Sequence, residues 1–514
     1  SLGSGEEGRH HRNGIGRRHM PDVFGDQVRA TLEERAEQPA LCYRSQWRTF
    51  GQIRGRAAAV AATLRELGLE RSDRVALFSP DKLPYLHVHL GAMLAGGMSL
   101  PVNFRSPLNE LAYFISDSGA RFIFAGPEQL EIAEQAKATC PTLEHVLTQD
   151  WYESLEPCDR LPGADLKPDD MAMMLYTSGT TGRPKGAVHT HGSMASAVGA
   201  IAECWAFTPD DTLLNVLPLF HIHGLSFASH VWLTTGGRMI VQDAFHPRRT
   251  LEALSEATAF MGVPPYYYSW LDWAQFRERA GQFGHIRLFT CGSAPIRPEV
   301  LPELQEILGG PIINRYGMTE THVNTSLPLG GPHKMGSVGL ALSGIEVEVR
   351  GDEDDEGEAG EVWVRGPNLF TEYWNRPEAT AEAFDADGWF DTGDLGEQDE
   401  DAFLTLRGRS KDLIIVGGYN VYPPVVECVI NDCPGVKESA LIGVPDRRRG
   451  ERVMAVVVRD DPGLTEETIT AFCRERLVDY QCPARVEFVP ELPRNTMGKV
   501  LKRELRDRFA SSDG

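Results

Sequence analysis

The stretch Leu175 to Gly186 reads Leu-Tyr-Thr-Ser-Gly-Thr-Thr-Gly-Arg-Pro-Lys-Gly and carries the residue types that hold phosphate. Gly179 and Gly182 let the backbone turn its N–H groups toward an anion. Thr177, Ser178, Thr180 and Thr181 add hydroxyl donors, and Arg183 and Lys185 offset charge. Taken alone, the same composition also suits a Gly/Thr-rich surface turn. The P-loop of nucleoside triphosphatases needs Gly directly before Lys and Ser or Thr directly after, whereas Lys185 sits between Pro184 and Gly186. The phosphate chemistry is therefore expected to differ from theirs.

Further polar clusters recur along the chain. Gly292-Ser293-Ala294-Pro295 follows a strand-like run ending at Cys291, and Asn314-Arg315-Tyr316-Gly317-Met318-Thr319-Glu320 follows the strand-like Pro311 to Ile313. Asp391 to Asp394 reads Asp-Thr-Gly-Asp. Leu406 to Asp412 is basic and runs on to Gly417, Gly418 and Asn420, and Pro493 to Lys499 reads Pro-Arg-Asn-Thr-Met-Gly-Lys.

Open α/β sheets present ligands at the ends of their strands, so the elements around these clusters matter. Helical spacing is predicted for Val23 to Arg35 and Gly51 to Leu67. Arg74 to Ser79, Met98 to Val102, Arg121 to Ala125 and Met171 to Tyr176 read as buried strands, as do Thr212 to Leu217, Arg238 to Val241 and Ile286 to Cys291. Strands alternating with helices predict a mostly parallel sheet covered by helices. Glu346 to Arg350 and Glu361 to Arg365 flank an acidic tip and predict a hairpin or small β-barrel piece.

From Arg409 onward the pattern changes. Helices over Val425 to Asn431 and Glu466 to Arg476 alternate with strands at Glu438 to Val444, Arg452 to Arg459 and Arg485 to Val489. The expected fold is α/β: a large N-terminal α/β domain of several subdomains, residues 21–408, and a small α+β domain, residues 409–514. Residues 1–20, rich in Gly, Arg and His, are read as a tag remnant or disordered tail.

A length of 514 residues calls for more than one core, and a hydrophobic fraction of 42% can build them. A formal net charge of −22 argues against nucleic acid as a partner. The nine cysteines lack metal-ligand spacing, which favours reduced thiols in a cytoplasmic setting. No apolar run is long enough to span a bilayer, and the final Ser-Ser-Asp-Gly is no obvious address signal.

Taken together and in this order, the motifs resemble the adenylate-forming superfamily of acyl-CoA synthetases, peptide-synthetase adenylation domains and luciferases, from roughly Asp22 to Leu505. Among subfamilies, Leu217-Pro-Leu-Phe-His-Ile-His-Gly224 and Tyr316 to Ser326 look most like malonyl-CoA synthetases. The resemblance implies that a carboxylate attacks the α-phosphate of ATP to give an acyl-adenylate and pyrophosphate, and that coenzyme A then displaces AMP. In-line attack of one anion on another needs charge neutralisation more than covalent help.

By that resemblance, Thr177 to Lys185 grips the β- and γ-phosphates, and Thr181 and Glu320 orient Mg²⁺, a hard cation that prefers oxygen ligands. Gly292 to Pro295 and Asn314 to Tyr316 wall the adenine, with Tyr316 stacking on it. Asp394 holds the ribose hydroxyls and Arg409 adds a donor there. Lys499 is the central catalytic cation, and the C-terminal domain is mobile, turning about Lys411 so that Gly417 and Gly418 line a coenzyme A tunnel. His221 lies near the reacting carboxylate, with His223 beyond an apolar turn. Malonyl-CoA synthetases carry an arginine after their Val-Pro element, whereas this chain reads Val263-Pro-Pro-Tyr-Tyr-Tyr-Ser-Trp270 without a cation, leaving Arg297, His322 or Lys334 as substitutes. The tyrosines and Trp270 equally suit an aromatic or aliphatic tail, or a packed helix. The implied substrate is a small or medium carboxylate, and the protein a monomer or homodimer. Alternatives are a domain that loads a carrier protein, or a non-catalytic nucleotide-binding protein.

Overall fold

The computed structural model describes residues 22–177, 183–351, 359–494 and 500–509. Two large sheets dominate. In the first, six neighbouring strands run parallel in the order Ile312–Met318, Leu288–Cys291, Ala259–Gly262, Thr212–Asn215, Arg238–Val241, Pro39–Tyr43. Antiparallel strands close both edges, His322–Ser326 with Leu340–Ala341 at one and Gln46–Thr49 at the other. The second sheet has five parallel strands, Met171–Thr177, Met98–Pro101, Arg74–Phe78, Phe122–Ala125 and His145–Leu147. Its far edge is the antiparallel pair Lys185–Thr190 and Glu372–Tyr373. Strands buried on both faces read as continuous apolar runs, which is why Arg74 to Phe78 and Phe122 to Ala125 were recognisable.

The predicted helices are present as Phe24–Glu34 and Phe50–Glu66. Thr49 caps the second reciprocally, its hydroxyl accepting from the Gln52 N–H while the Gln52 side chain accepts from Thr49 N–H. One aromatic-rich core, with Trp205, Trp232 and Phe50, fills the space between the sheets.

The acidic-tipped hairpin forms in the expected register, Glu346 opposite Arg365 and Arg350 opposite Glu361. It belongs to an antiparallel sheet of four strands that adds Phe390–Gln398 and Leu404–Arg409; the tip at 352–358 lies outside the described residues. Among the described residues the strands Ile414–Val416, Tyr419–Val421, Val436–Asp446, Gly450–Arg459 and Arg485–Phe488 pair only among themselves, with the helices Pro423–Asn431 and Glu466–Arg474 beside them. The molecule is thus a mixed α/β protein with a large N-terminal part and a smaller C-terminal one.

One sequence expectation needs correction. The strand expected to end at Ile313 runs to Met318, so Asn314 to Met318 are strand residues, not a following loop. Polarity misled here: Arg315 and Tyr316 are buried, and burial of a polar strand leaves no apolar alternation to read. Of the alternatives left open for Val263 to Trp270, Tyr267 and Trp270 follow the packed-helix one: both are fully buried in a second aromatic cluster behind the helix Pro264–Leu271.

All nine cysteines lie among the described residues and none is disulfide-bonded. No helix among the described residues is long and apolar enough to cross a membrane.

Candidate active site

The phosphate-type loop is the connection of a hairpin. Thr177 ends one strand, Lys185 begins the next, and the two are paired across the ladder. Ser178, Gly179, Thr180, Thr181 and Gly182 lie outside the described residues. A loop between antiparallel strands, with no helix start behind it, fits the departure from the P-loop pattern. Lys185 holds its ammonium 4.6 Å from the centre of the Tyr373 ring, a cation–π contact.

Tyr373 joins the two sheets. It comes from the strand beside Lys185–Thr190, and its hydroxyl donates to Glu320 Oε1 at 3.0 Å. A second tie comes from His189 on the same hairpin, whose Nε2 lies 2.7 Å from the Thr319 carbonyl oxygen. Neither residue belongs to a polar motif, and only the sheet pairing brings them to the cleft. Glu320 is 5% exposed, and burial raises its carboxyl pKa, with the Tyr373 hydrogen bond and the charge of Arg409 opposing the rise.

Asp394 sits at the centre of a second group. Tyr316 donates its hydroxyl proton to Asp394 Oδ2 at 2.6 Å, and Arg409 Nε approaches Oδ1 at 2.7 Å. The turn that presents Asp394 is fixed locally: Asp391 Oδ1 accepts from Gly393 N–H, and Thr392 Oγ1 accepts from Asp394 N–H. Gly393 adopts φ +66°, which its lack of a Cβ permits. Asp394 and Arg409 face each other across adjacent strands, so the motifs Asp391–Asp394 and Leu406–Asp412 are two sides of one ladder.

The expected adenine wall is divided by the strand that carries it. Successive side chains point to opposite faces. Tyr316 reaches Asp394, while Arg315 turns the other way, its guanidinium 4.8 Å from the Phe227 ring and its Nη2 3.3 Å from Ser293 Oγ. Asn314 anchors the strand start by donating to the Ser337 carbonyl. The Gly292–Pro295 turn follows the neighbouring strand, with Ser293 at φ +70°, an unusual conformation for a residue with a side chain. A Cβ at position 292 would lie 2.6 Å from the Arg315 guanidinium carbon, so any larger residue there obliges that side chain to shift. At the Gly317 bulge a Cβ would overlap the His322 carbonyl.

His223 makes the contact to this turn: its Nδ1 lies 3.2 Å from Ser293 Oγ. His221 packs beside Phe220, ring centroids 4.4 Å apart, and burial pushes its pKa down to about 3, so its ring is neutral. Gly417 and Gly418, at φ +61° and +90°, form the two-residue turn of a hairpin, and Gly417 N–H donates to the Arg449 carbonyl. Lys411 lies in the short helical turn Ser410–Asp412 directly after Arg409. Lys499 lies outside the described residues; the chain on either side of its segment is tied, with Leu501 N–H donating to the Pro493 carbonyl and Arg494 bridging Val500.

Among the described residues no cluster of three or more His, Cys, Asp or Glu could hold a metal on its own. The buried Glu320 carboxylate, a single hard oxygen donor, suits Mg²⁺, which takes one or two carboxylates and fills its remaining positions with phosphate oxygens and water.

Residues 28–374 match the family model described as AMP-binding enzyme, and residues 425–499 match the AMP-binding enzyme C-terminal domain. The chain is 36% identical over 482 residues to long-chain-fatty-acid–CoA ligase FadD13 of Mycobacterium tuberculosis, covering 90% of this chain and 93% of that one. It is 36% identical over 478 residues to feruloyl-CoA synthase of Amycolatopsis sp, covering 90% and 94%. Its structure resembles ATP-bound MatB from Rhodopseudomonas palustris with a TM-score of 0.87 at 38% identity, over 94% of this chain and 99% of that one.

Proposed function

Because the chain belongs to the AMP-binding enzyme family and its relatives are CoA ligases, we propose that its cleft joins a small or medium carboxylic acid to coenzyme A through an acyl-adenylate. In the first half-reaction a carboxylate oxygen bonds to the α-phosphorus of ATP and the bond to pyrophosphate breaks. In the second, the thiol sulfur of coenzyme A bonds to the acyl carbon, the thiol proton is lost and AMP leaves.

The observation that carries this reading is the convergence, from three sheets, of two bonded groups, Lys185–Tyr373–Glu320 and Tyr316–Asp394–Arg409, close enough that the charges of Arg409 and Asp394 act on Glu320. Lys185 and the loop before it bind phosphate oxygens. Asp394 accepts from the ribose hydroxyls, because a carboxylate has acceptor sites to spare beyond those taken by Tyr316 and Arg409. Tyr316, held by that hydrogen bond, offers its ring face to adenine. Glu320, with Thr181, holds Mg²⁺, which when bound neutralises charge on the phosphates. Lys499 donates to the reacting oxygens, and His221, a neutral ring, borders the acyl carboxylate.

Residues 21–408 form the adenylating domain and residues 409–514 a mobile one, with the change of partner falling between Arg409, last in its sheet, and Ile414, first in the next. Its Gly417–Gly418 turn is thin enough for a pantetheine arm to pass. The unpaired cysteines and the use of ATP and coenzyme A suit the cytoplasm.

The test is release of pyrophosphate from ATP across a carboxylate panel, followed by AMP release with coenzyme A or with a phosphopantetheine carrier protein. AMP and an acyl-CoA are expected. ADP as product would sink the reading, and AMP release only with the carrier protein would move it to the carrier-loading class.

A further inference from the structure

Both roots of the phosphate-type loop are held by one helix, Leu108–Ser118. At the entry, Tyr176 donates its hydroxyl proton to Asp117 Oδ2 at 2.8 Å, and its ring packs on Phe114 with centroids 4.5 Å apart. At the exit, Tyr113 donates its hydroxyl proton to the Pro184 carbonyl at 2.7 Å, and the Arg183 guanidinium lies 5.3 Å from the centre of the Tyr113 ring. Residues four apart on a helix share a face, so Tyr113 and Asp117 present the two anchors side by side.

The pleat places these anchors behind the hairpin. Met174 and Tyr176 pack in the apolar cluster that holds Phe114 and Ile115 of the helix, whereas Leu175 belongs to the core between the large sheets. Lys185, opposite Thr177 in the ladder, lies on the other face and meets Tyr373. The helix therefore grips the loop from the face opposite the one that carries Lys185.

Asp117 has a second partner. Its Oδ1 accepts from Arg376 Nη2 at 2.5 Å, and the Arg376 charge also faces the Tyr113 hydroxyl. Arg376 closes a tight turn by donating its N–H to the Tyr373 carbonyl, and Trp374 N–H, inside that turn, donates to the Gly186 carbonyl. Tyr373 is the residue bonded to Glu320. One helix face thus joins the two loop roots to the turn that carries the partner of Glu320.

Resting on the acyl-CoA synthetase reading, in which this loop takes the β- and γ-phosphates of ATP, we infer that Tyr113 and Asp117 are positioning residues for those two phosphates. The stretch from Ser178 to Gly182 contains two glycines, so ordering it around an anion costs conformational entropy. Fixing both of its ends in advance lowers that cost at the moment of binding. AMP carries only the α-phosphate and draws on none of this. A role confined to general stability of the hairpin would affect ATP and AMP alike.

The experiment measures the Kd of ATP with Mg²⁺ and of AMP by calorimetry on the full-length protein without acid, for the parent, Tyr113→Phe and Asp117→Asn, with melting curves to check folding. Tyr113→Phe keeps the ring beside Arg183 and loses the bond to Pro184. Asp117→Asn keeps an oxygen that accepts from Tyr176 and loses the charge that faces Arg376. ATP binding should weaken ~5-fold in the first and ~10-fold in the second, the scale of one neutral and one charged hydrogen bond, while AMP binding stays within ~2-fold of the parent. In turnover, KM for ATP should rise with KM for the acid unchanged. Equal weakening of ATP and AMP, or no change in either, overturns the inference; if Asp117→Asn melts early, Tyr113→Phe alone decides. A parent that binds ATP yet releases no pyrophosphate with any acid sinks the synthetase reading, and the ratio of ATP to AMP affinity still decides the inference.

Discussion

The two faces of the strand Ile312–Met318 are built on opposite terms. On the Tyr316 side, Asp394 and Glu320 each have matched donors, and Lys185 and Arg409 each have a partner. On the Arg315 side, a guanidinium and an imidazole keep buried N–H groups that nothing among the described residues accepts. On the proposed function the matched face is the one that takes the nucleotide, and its internal hydrogen bonds set it before any ligand arrives. The unmatched face carries buried donors that the described residues leave unpaired.

The largest expected effect asks how firmly the framework behind the matched face is set. His87, His89, His189 and His191 are buried with pKa values pushed down to about 3 or 4, below the 6.5 they have when exposed. Between pH 6.5 and 4 the unfolded chain binds protons that the folded chain refuses, so stability falls as pH falls. Each histidine adds up to ~1.4 kcal/mol per pH unit. Urea unfolding at pH 7 and pH 5 should differ by several kcal/mol, and equal midpoints would mean that these rings are not neutral in the fold.

Breaking the matched face comes next. Asp394→Ala strands Arg409, and should lower stability by about 3 kcal/mol, the low end for a buried pair because Arg409 keeps some access to water. AMP binding, read by calorimetry, should disappear with it. Lys499→Ala should slow acyl-adenylate formation by about 10²-fold while thioester formation from supplied acyl-adenylate survives. Equal loss in both half-reactions, or loss in neither, would overturn this role for Lys499.

Smaller changes sharpen the contrast. Tyr316→Phe keeps the ring and loses one hydrogen bond to a carboxylate, so stability should drop by roughly 1–2 kcal/mol. Arg315→Met, one residue away, removes an unmatched charge and should leave the melting temperature unchanged or raise it. If the two variants lose stability equally, the faces do not differ as described.

Much of this was legible in the chain. Apolar strands such as Phe122 to Ala125 and helices such as Phe50–Glu66 follow from local pattern. The hairpin of Lys185–Thr190 and the extension of Ile312–Met318 were missed because polar strand residues carry no period once tertiary contacts bury them.

Residue identity alone thus determined the order of the motifs and the alternation of strands and helices, because motif order and hydrophobic period are properties of neighbouring residues. Only the tertiary structure decided that Tyr373 reaches Glu320, that His189 clamps the Thr319 carbonyl, and that Arg315 and Tyr316 serve opposite sides. Those outcomes depend on which strand lies beside which and where each pleat points, and nothing within a few residues of Tyr373 or Arg315 encodes them.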